Sequence, residues 1–312
     1  MTDFPALILG GGSLAAFLKD NKPAVDAALD DAGALLFRGF DVSDPKAFDA
    51  AVVAYGEPGF TYEGSLSNAV RTNVTPRVFT ANEAPPQTEI FLHHEMAQTP
   101  IYPSKLFFYC EIAADTGGAT PLCRSDLVLE ELENQAPDFI ARLEAEGVRY
   151  TNVMPGDDDA GSGQGRSWRS TLSADSKQGA EARLSELGYS WEWLESGALR
   201  ATTPALPAVR MLADGRRTFF NQLIAAFRGW RDARNDPGKA ITFGGSGADG
   251  GGANGGEPIS AEDMAPAIAI ADALTVDCKW QAGDVALIDN FTVMHGRRPF
   301  EGKRRVLASL VA

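Results

Sequence analysis

The chain has 312 residues, 44% of them hydrophobic, which is enough to bury a large core without disulfide support. Its 42 acidic and 28 basic residues leave a formal net charge of −14, a balance that argues against nucleic acid or anionic lipid as a partner. No run nears the roughly eighteen apolar residues of a membrane span. The opening Met1-Thr2-Asp3-Phe4-Pro5 lacks the basic start of a secretory leader, so the expectation is a soluble, cytoplasmic protein with no membrane partner. The three cysteines, Cys110, Cys123 and Cys278, fit neither a C-x-x-C site nor an even disulfide framework, and are read as reduced and buried.

Along the chain, Asn21–Ala32 reads as a short helix and Gly33–Phe40 as a buried strand bounded by glycines. Pro45–Tyr55 returns to helical spacing. Four short β-like runs follow, at Val74–Thr80, Thr88–His93, Leu106–Cys110 and Ala119–Cys123. Helices are expected across Ser125–Asn134, with Ser125 as candidate N-cap, and across Pro137–Glu146. Gly156–Gly165 is a polar, glycine-rich loop, and Ala180–Leu187 is helical. Strand-like pieces resume at Tyr189–Trp193, Ala208–Met211 and Thr218–Asn221. Gly244–Gly256 is of low complexity and reads as a flexible surface loop. A helix at Ala261–Leu274 and strands at Val285–Asp289 and Arg304–Val311 close the chain. Neither a repeat nor a break in composition divides it, so residues 1–312 are read as one domain. Many short strands with helices between them predict a mainly β fold with helical insertions, a β-barrel or jelly roll.

Chemistry concentrates in the only three histidines, His93, His94 and His295. On an alternating strand His93 and Glu95 share a face while His94 points away. His295, arriving on a neighbouring strand, would complete two imidazoles and one carboxylate on one face of a metal. That donor set, with open positions opposite it, is characteristic of non-haem Fe(II) oxygenases. Asp289 and Asn290, just before His295, fit a role in orienting that ligand.

Four separated stretches share a resemblance: Ile90-Phe91-Leu92-His93-His94-Glu95-Met96; Pro103–Cys110 with Thr116-Gly117-Gly118-Ala119-Thr120-Pro121-Leu122; Phe219-Phe220-Asn221-Gln222; and Trp280–Asn290 running on through His295-Gly296-Arg297 to Arg304-Arg305. Together with Gly33–Phe40 they resemble the taurine dioxygenase (TauD/TfdA)/clavaminate synthase-like superfamily, in the expected order from about Gly33 to Leu310. The resemblance implies a double-stranded β-helix (jelly-roll) core, Fe(II) as metal, and 2-oxoglutarate and O2 as co-substrates. It implies His93, Glu95 and His295 as the catalytic metal ligands. Thr120, twenty-seven residues after His93, and Arg305, ten after His295, match the residues that bind the distal carboxylate of 2-oxoglutarate. A guanidinium grips a carboxylate through two parallel hydrogen bonds. Arg304 competes for that role, since only one of the pair can face inward from a strand; the resemblance favours Arg305.

Arg297, Asn221, Gln98 and Asn290 are candidates for touching substrate or supporting a ligand, with structural roles open for each. Trp280, Trp191 and Trp193 are read as packing residues. The sequence departs from taurine dioxygenase at Ser309, where that enzyme has a sulfonate-binding arginine, which argues against taurine as the substrate. Glu95 fills the position that relatives which halogenate leave to chloride, so hydroxylation is expected. The H-x-E-M and G-G-x-T-P text is most similar to the SyrP-like branch, which implies a small-molecule substrate, an amino acid or amino-acid-derived metabolite, free or carrier-tethered. Two rival readings stay open: a non-oxidative, cupin-like metal enzyme, and an inactive metabolite-binding barrel.

Overall fold

Residues 4–60, 66–67, 71–81, 84–158, 165–229, 240–245 and 256–312 are described by a computed structural model. Strand β1 (Ala6–Leu9) runs into helix α1 (Leu14–Ala32), whose N-terminus is capped by the Ser13 hydroxyl accepting from the Ala16 N–H. Gly33 ends α1 in the left-handed conformation (φ 78°) and turns the chain into β2 (Ala34–Arg38), parallel to β1. The sequence places only the second part of α1 in a helix; a kink at Asn21, just before Lys22-Pro23, separates the two parts. Helix α2 (Pro45–Tyr55) follows as expected, with Asp44 as its N-cap.

Two sheets carry the fold. The larger comprises β1, β2, β3 (Gly59–Phe60), β4 (Phe79–Thr80), β6 (Lys105–Ile112), β16 (Val285–Asp289) and β19 (Arg305–Val311), in the order β1-β2-β16-β6-β19-β3 with β4 also on β19. The smaller has four strands in the order β15 (Val276–Cys278), β8 (Thr120–Arg124), β17 (Val293–Arg297), β5 (Ile90–His93). Of the expected strand Val74–Thr80 only the last two residues are strand, because Thr75 and Val78 close a turn before them.

The larger sheet is buried on both faces. Leu35, Phe37, Phe107, Tyr109, Leu287 and Leu307 pack under α1 and α2. The alternate residues, Leu36, Phe108, Ala286, Val306 and Ala308, pack against Leu122, Val293 and Cys278 of the smaller sheet. Such strands read as continuous apolar runs rather than alternating ones.

Helices α3 (Ser125–Gln135), α4 (Pro137–Glu146), α7 (Leu223–Gly229) and α8 (Ala261–Leu274) cover the other side of the smaller sheet, with Leu92, Cys123 and Met294 in the shared core. Ser125 is not the N-cap of α3: its hydroxyl donates to the Thr292 carbonyl and so ties the helix to β17. An insertion adds β9 (Val148–Met154), β10 (Ser190–Trp193), β11 (Leu199–Thr202) and β14 (Ile241–Phe243), with α5 (Trp168–Leu172) and α6 (Lys177–Glu186) packed on it. Two short pairs stand apart, β7 (Thr116–Gly117) with β18 (Phe300–Glu301) and β12 (Arg210–Met211) with β13 (Arg217–Thr218). Most of the two glycine-rich loops read from the sequence, residues 159–164 and 246–255, lies outside the described residues. No helix among the described residues is long and apolar enough to cross a membrane.

All three cysteines are free and buried, as expected. Burial pushes the thiol of Cys110 up to about 11 and those of Cys123 and Cys278 up to about 12. With so little thiolate and no access, none should react with a disulfide reagent at pH 8 in the native protein, whereas all three should react once it is unfolded in guanidinium. Thiol titration before and after unfolding checks this.

Candidate metal centre and co-substrate pocket

His93, the last residue of β5, is the ladder partner of His295 on β17, and the two ring centroids lie 4.3 Å apart. So close an approach needs Gly296 beside His295, because a Cβ there would sit 2.3 Å from the Ile90 carbonyl oxygen. Glu95 arrives differently from the expected strand alternation. The strand stops at His93, and Glu95 lies in a turn that continues through Met96 at φ 60°. The turn still brings its carboxylate inward, with Oε2 3.6 Å from His295 Nε2 and 4.0 Å from His93 Nε2. His94 points away, as expected, into a fully buried site beside Phe220.

The three donors lie within 4.8 Å of one another, and their types fit a divalent transition metal. His93 Nδ1 contacts the Phe91 carbonyl at 2.8 Å; as the proton-bearing nitrogen there, it leaves the Nε2 lone pair to face the other donors. Burial, and then the neighbouring His295, push the His93 imidazole down to about 4, so it is neutral and able to ligate at pH 7. Burial alone would raise the Glu95 carboxyl, but Arg71 and the two imidazoles outweigh it and hold the carboxyl well below the usual range.

Asn290 holds this turn in place. Its side-chain oxygen accepts from the Glu95 N–H at 2.7 Å, while its amide nitrogen donates to the carbonyls of Glu95 and Pro103. The Gln222 side chain adds a bond to the His94 carbonyl at 2.9 Å. Asn221 turns away from the centre: it donates to the Ala208 carbonyl and accepts from the Leu223 N–H.

A pocket opens from the two histidines, lined also by Arg71, Phe108, Thr120, Arg297 and Arg304. The buried Thr120 hydroxyl oxygen accepts from Trp280 Nε1 at 2.9 Å. Indole N–H is only a donor, so the hydroxyl hydrogen of Thr120 remains available for an acceptor in the pocket. Trp280, read from the sequence as a packing residue, thus orients a pocket hydroxyl.

Arg305 does not reach this pocket. It pairs with Glu111 on β6 at the outer face of the sheet. Arg304, just before β19, lines the pocket instead, beside Val306, which with Ala308 packs toward the smaller sheet. Its Nε donates to the Gly118 carbonyl at 2.9 Å, and a Cβ on Gly118 would lie 3.0 Å from the arginine's Cδ. Burial, and then Arg297, push the Arg304 guanidinium down to about 10, and among the described residues no carboxylate pairs with it.

Arg297 lines the same pocket, yet its Nη atoms donate to the carbonyls of Ala84, Pro85 and Thr88 and so fasten that segment. Arg71 has no place in any motif read from the sequence. Here it lies 3.2 Å from one Glu95 oxygen and 3.3 Å from the other. Gln98 does not line this pocket; it belongs to a second cavity.

Comparison with known proteins accords with this geometry. The taurine catabolism dioxygenase TauD, TfdA family matches residues 5–310. A clavaminate synthase-like protein of Arabidopsis thaliana is 44% identical over 294 residues, covering 94% of this chain and 86% of its own. The dapdiamide synthesis protein DdaC of Enterobacter agglomerans is 28% identical over 306 residues, covering 92% of this chain and 84% of its own. Among solved structures, an asparagine oxygenase in complex with Fe(II), 3-hydroxyasparagine and succinate superposes with a TM-score of 0.54. It shares 15% identity and covers 95% of this chain and 79% of its own. The chain belongs to the TauD/TfdA family of Fe(II)- and 2-oxoglutarate-dependent oxygenases.

Proposed function

We propose that the protein couples decarboxylation of 2-oxoglutarate to hydroxylation of a C–H bond in a small molecule, an amino acid or amino-acid-derived metabolite. The observation that carries this reading is a complete His93/Glu95/His295 donor set opening onto a pocket that holds Thr120 and Arg304, whose guanidinium meets no carboxylate among the described residues. A non-oxidative metal enzyme whose substrate lacks a carboxylate would leave Thr120 and Arg304 without a role. In this reading the two facing sheets form a double-stranded β-helix, and residues 1–312 act as one cytoplasmic oxygenase domain.

His93, Glu95 and His295 would hold Fe(II) on one face and leave adjacent positions for the keto acid and O2. When bound, iron and 2-oxoglutarate together supply the activation of O2 and the oxidising equivalents for the C–H bond. The protein's part is placement. Arg304 receives the distal carboxylate of 2-oxoglutarate through its guanidinium edge, and Thr120 donates its hydroxyl to the same group. Asn290 keeps Glu95 at its ligating position, and Phe108, 5.3 Å from the His295 ring between centroids, helps exclude water from that side. The carboxylate at position 95 occupies the place a halide would need, which favours hydroxylation over halogenation.

Two predictions follow from this assignment. Arg304→Ala should raise the KM for 2-oxoglutarate by the equivalent of about 2–5 kcal/mol, roughly thirtyfold or more, while Arg305→Ala leaves it nearly unchanged. Steady-state succinate formation at varied 2-oxoglutarate measures both; the reverse pattern would assign the anchor to Arg305. Asn290→Ala should weaken Fe(II) retention by about 10–100-fold, read by metal content after dialysis against a graded chelator. Metal retention equal to wild type would remove Asn290 from the support of the centre.

A further inference from the structure

A second cavity lies between the inserted sheet, α5 and α6, and the segment just after Glu95. Gln98 and Thr99 bring that segment to its wall, three and four residues from the metal-binding carboxylate. The cavity is joined to the centre by hydrogen bonds. The hydroxyl of Tyr150, in its lining, accepts from the Gln222 N–H at 3.1 Å, and the Gln222 side chain donates to the His94 carbonyl.

The chemistry of its walls contrasts with that of the first pocket. Three arginines line the pocket at the histidines, whereas among the described residues no Asp, Glu, Lys, Arg or His lines the second cavity. Its polar lining is amide and hydroxyl, from Gln98, Asn152, Thr171 and Thr203 together with the phenols of Tyr150 and Tyr189, set among leucines. Two of these groups are unsatisfied. Gln98 Oε1 and Thr171 Oγ1 are buried and meet no hydrogen-bond partner among the described residues, and Thr171 as a whole is only 4% exposed. Buried polar atoms without partners are rare and costly, and two from separate elements lining one cavity point to a ligand group that satisfies both. Gln98 Oε1 requires a donor, and the Thr171 hydroxyl can donate to an acceptor.

We infer that this cavity is a substrate subsite for a neutral group carrying both an N–H donor and a carbonyl acceptor, a carboxamide or peptide amide, held between Gln98 and Thr171. This rests on the oxygenase reading, because the cavity's claim to be a substrate subsite comes from Gln98 and Thr99, three and four residues after the metal-binding Glu95. A carboxylate or ammonium would enter walls that offer no countercharge among the described residues, so the amide is selected over its acid isostere by the cost of burying an unpaired charge.

The test uses the full chain in its anaerobic Fe(II)–2-oxoglutarate complex, so that the arginine pocket is already filled. Glutamine against glutamate, asparagine against aspartate and butyramide against butyrate are the probes, with binding read by calorimetry and ligand-observed NMR. At least one amide should bind about tenfold or more tightly than its acid isostere. Gln98→Leu and Thr171→Val, on separate elements, should each weaken that amide by about fivefold or more, provided their thermal melting stays near wild type. Should one of them fail to fold, Thr171→Ala or Gln98→Met takes its place. Equal binding of amide and acid, binding to neither, or an amide preference untouched by both variants would overturn the subsite. Failure to form the Fe(II)–2-oxoglutarate complex would instead strike at the oxygenase reading itself.

Discussion

The pairing of β17 with β5 is the contact on which the rest of the site depends. It sets His295 opposite His93, and it is possible only because Gly296 lets the Ile90 carbonyl approach where any side chain would collide. Glu95 then has to be delivered by a turn, since the strand has ended. Asn290, immediately before the stretch that leads into β17, binds the backbone of that turn on both sides. One asparagine thus couples the two segments that supply all three donors.

The buried larger sheet explains the arginine that faces the pocket. Its strands are covered by α1 and α2 on one face and by the smaller sheet on the other, so both alternating sets of residues are apolar. Arg304, just before β19, enters the pocket beside Val306, which with Ala308 packs toward the smaller sheet. Around it the lining is assembled from distant parts of the chain: Thr120 opens β8, Trp280 follows β15, and the Gly118 backbone makes room for the arginine stem. Charge is also divided between the two cavities. The one at the metal is cationic and suits a dicarboxylate, while the one in the insertion has no charged side chain among its described lining.

Much of this was legible in the sequence. With only three histidines, one of them in an H-x-E triplet, few donor sets were open, and the helices at Pro45–Tyr55, Pro137–Glu146 and Ala261–Leu274 lie where the sequence places them. The choice between Arg304 and Arg305 was not legible, because a strand buried on both faces carries no polar alternation to show which parity points inward. Arg71 and Trp280 were equally hidden: what makes each of them matter is a contact with a residue 24 or 160 positions away, and no local pattern records it. Thr171 and Gln98 belong to the same class, joined only by the cavity between them.

The most direct measurement is an anaerobic titration of the metal-free protein with Fe(II) and 2-oxoglutarate, following the weak visible charge-transfer absorption of an iron–keto-acid chelate. The account predicts that the band develops to one iron per chain in the wild type and is lost in His295→Ala, a variant compared at matched fold content by circular dichroism. A wild-type protein that binds Fe(II) without developing the band, or a His295→Ala variant that develops it in full, would contradict the assignment of these three side chains and this pocket to iron and 2-oxoglutarate.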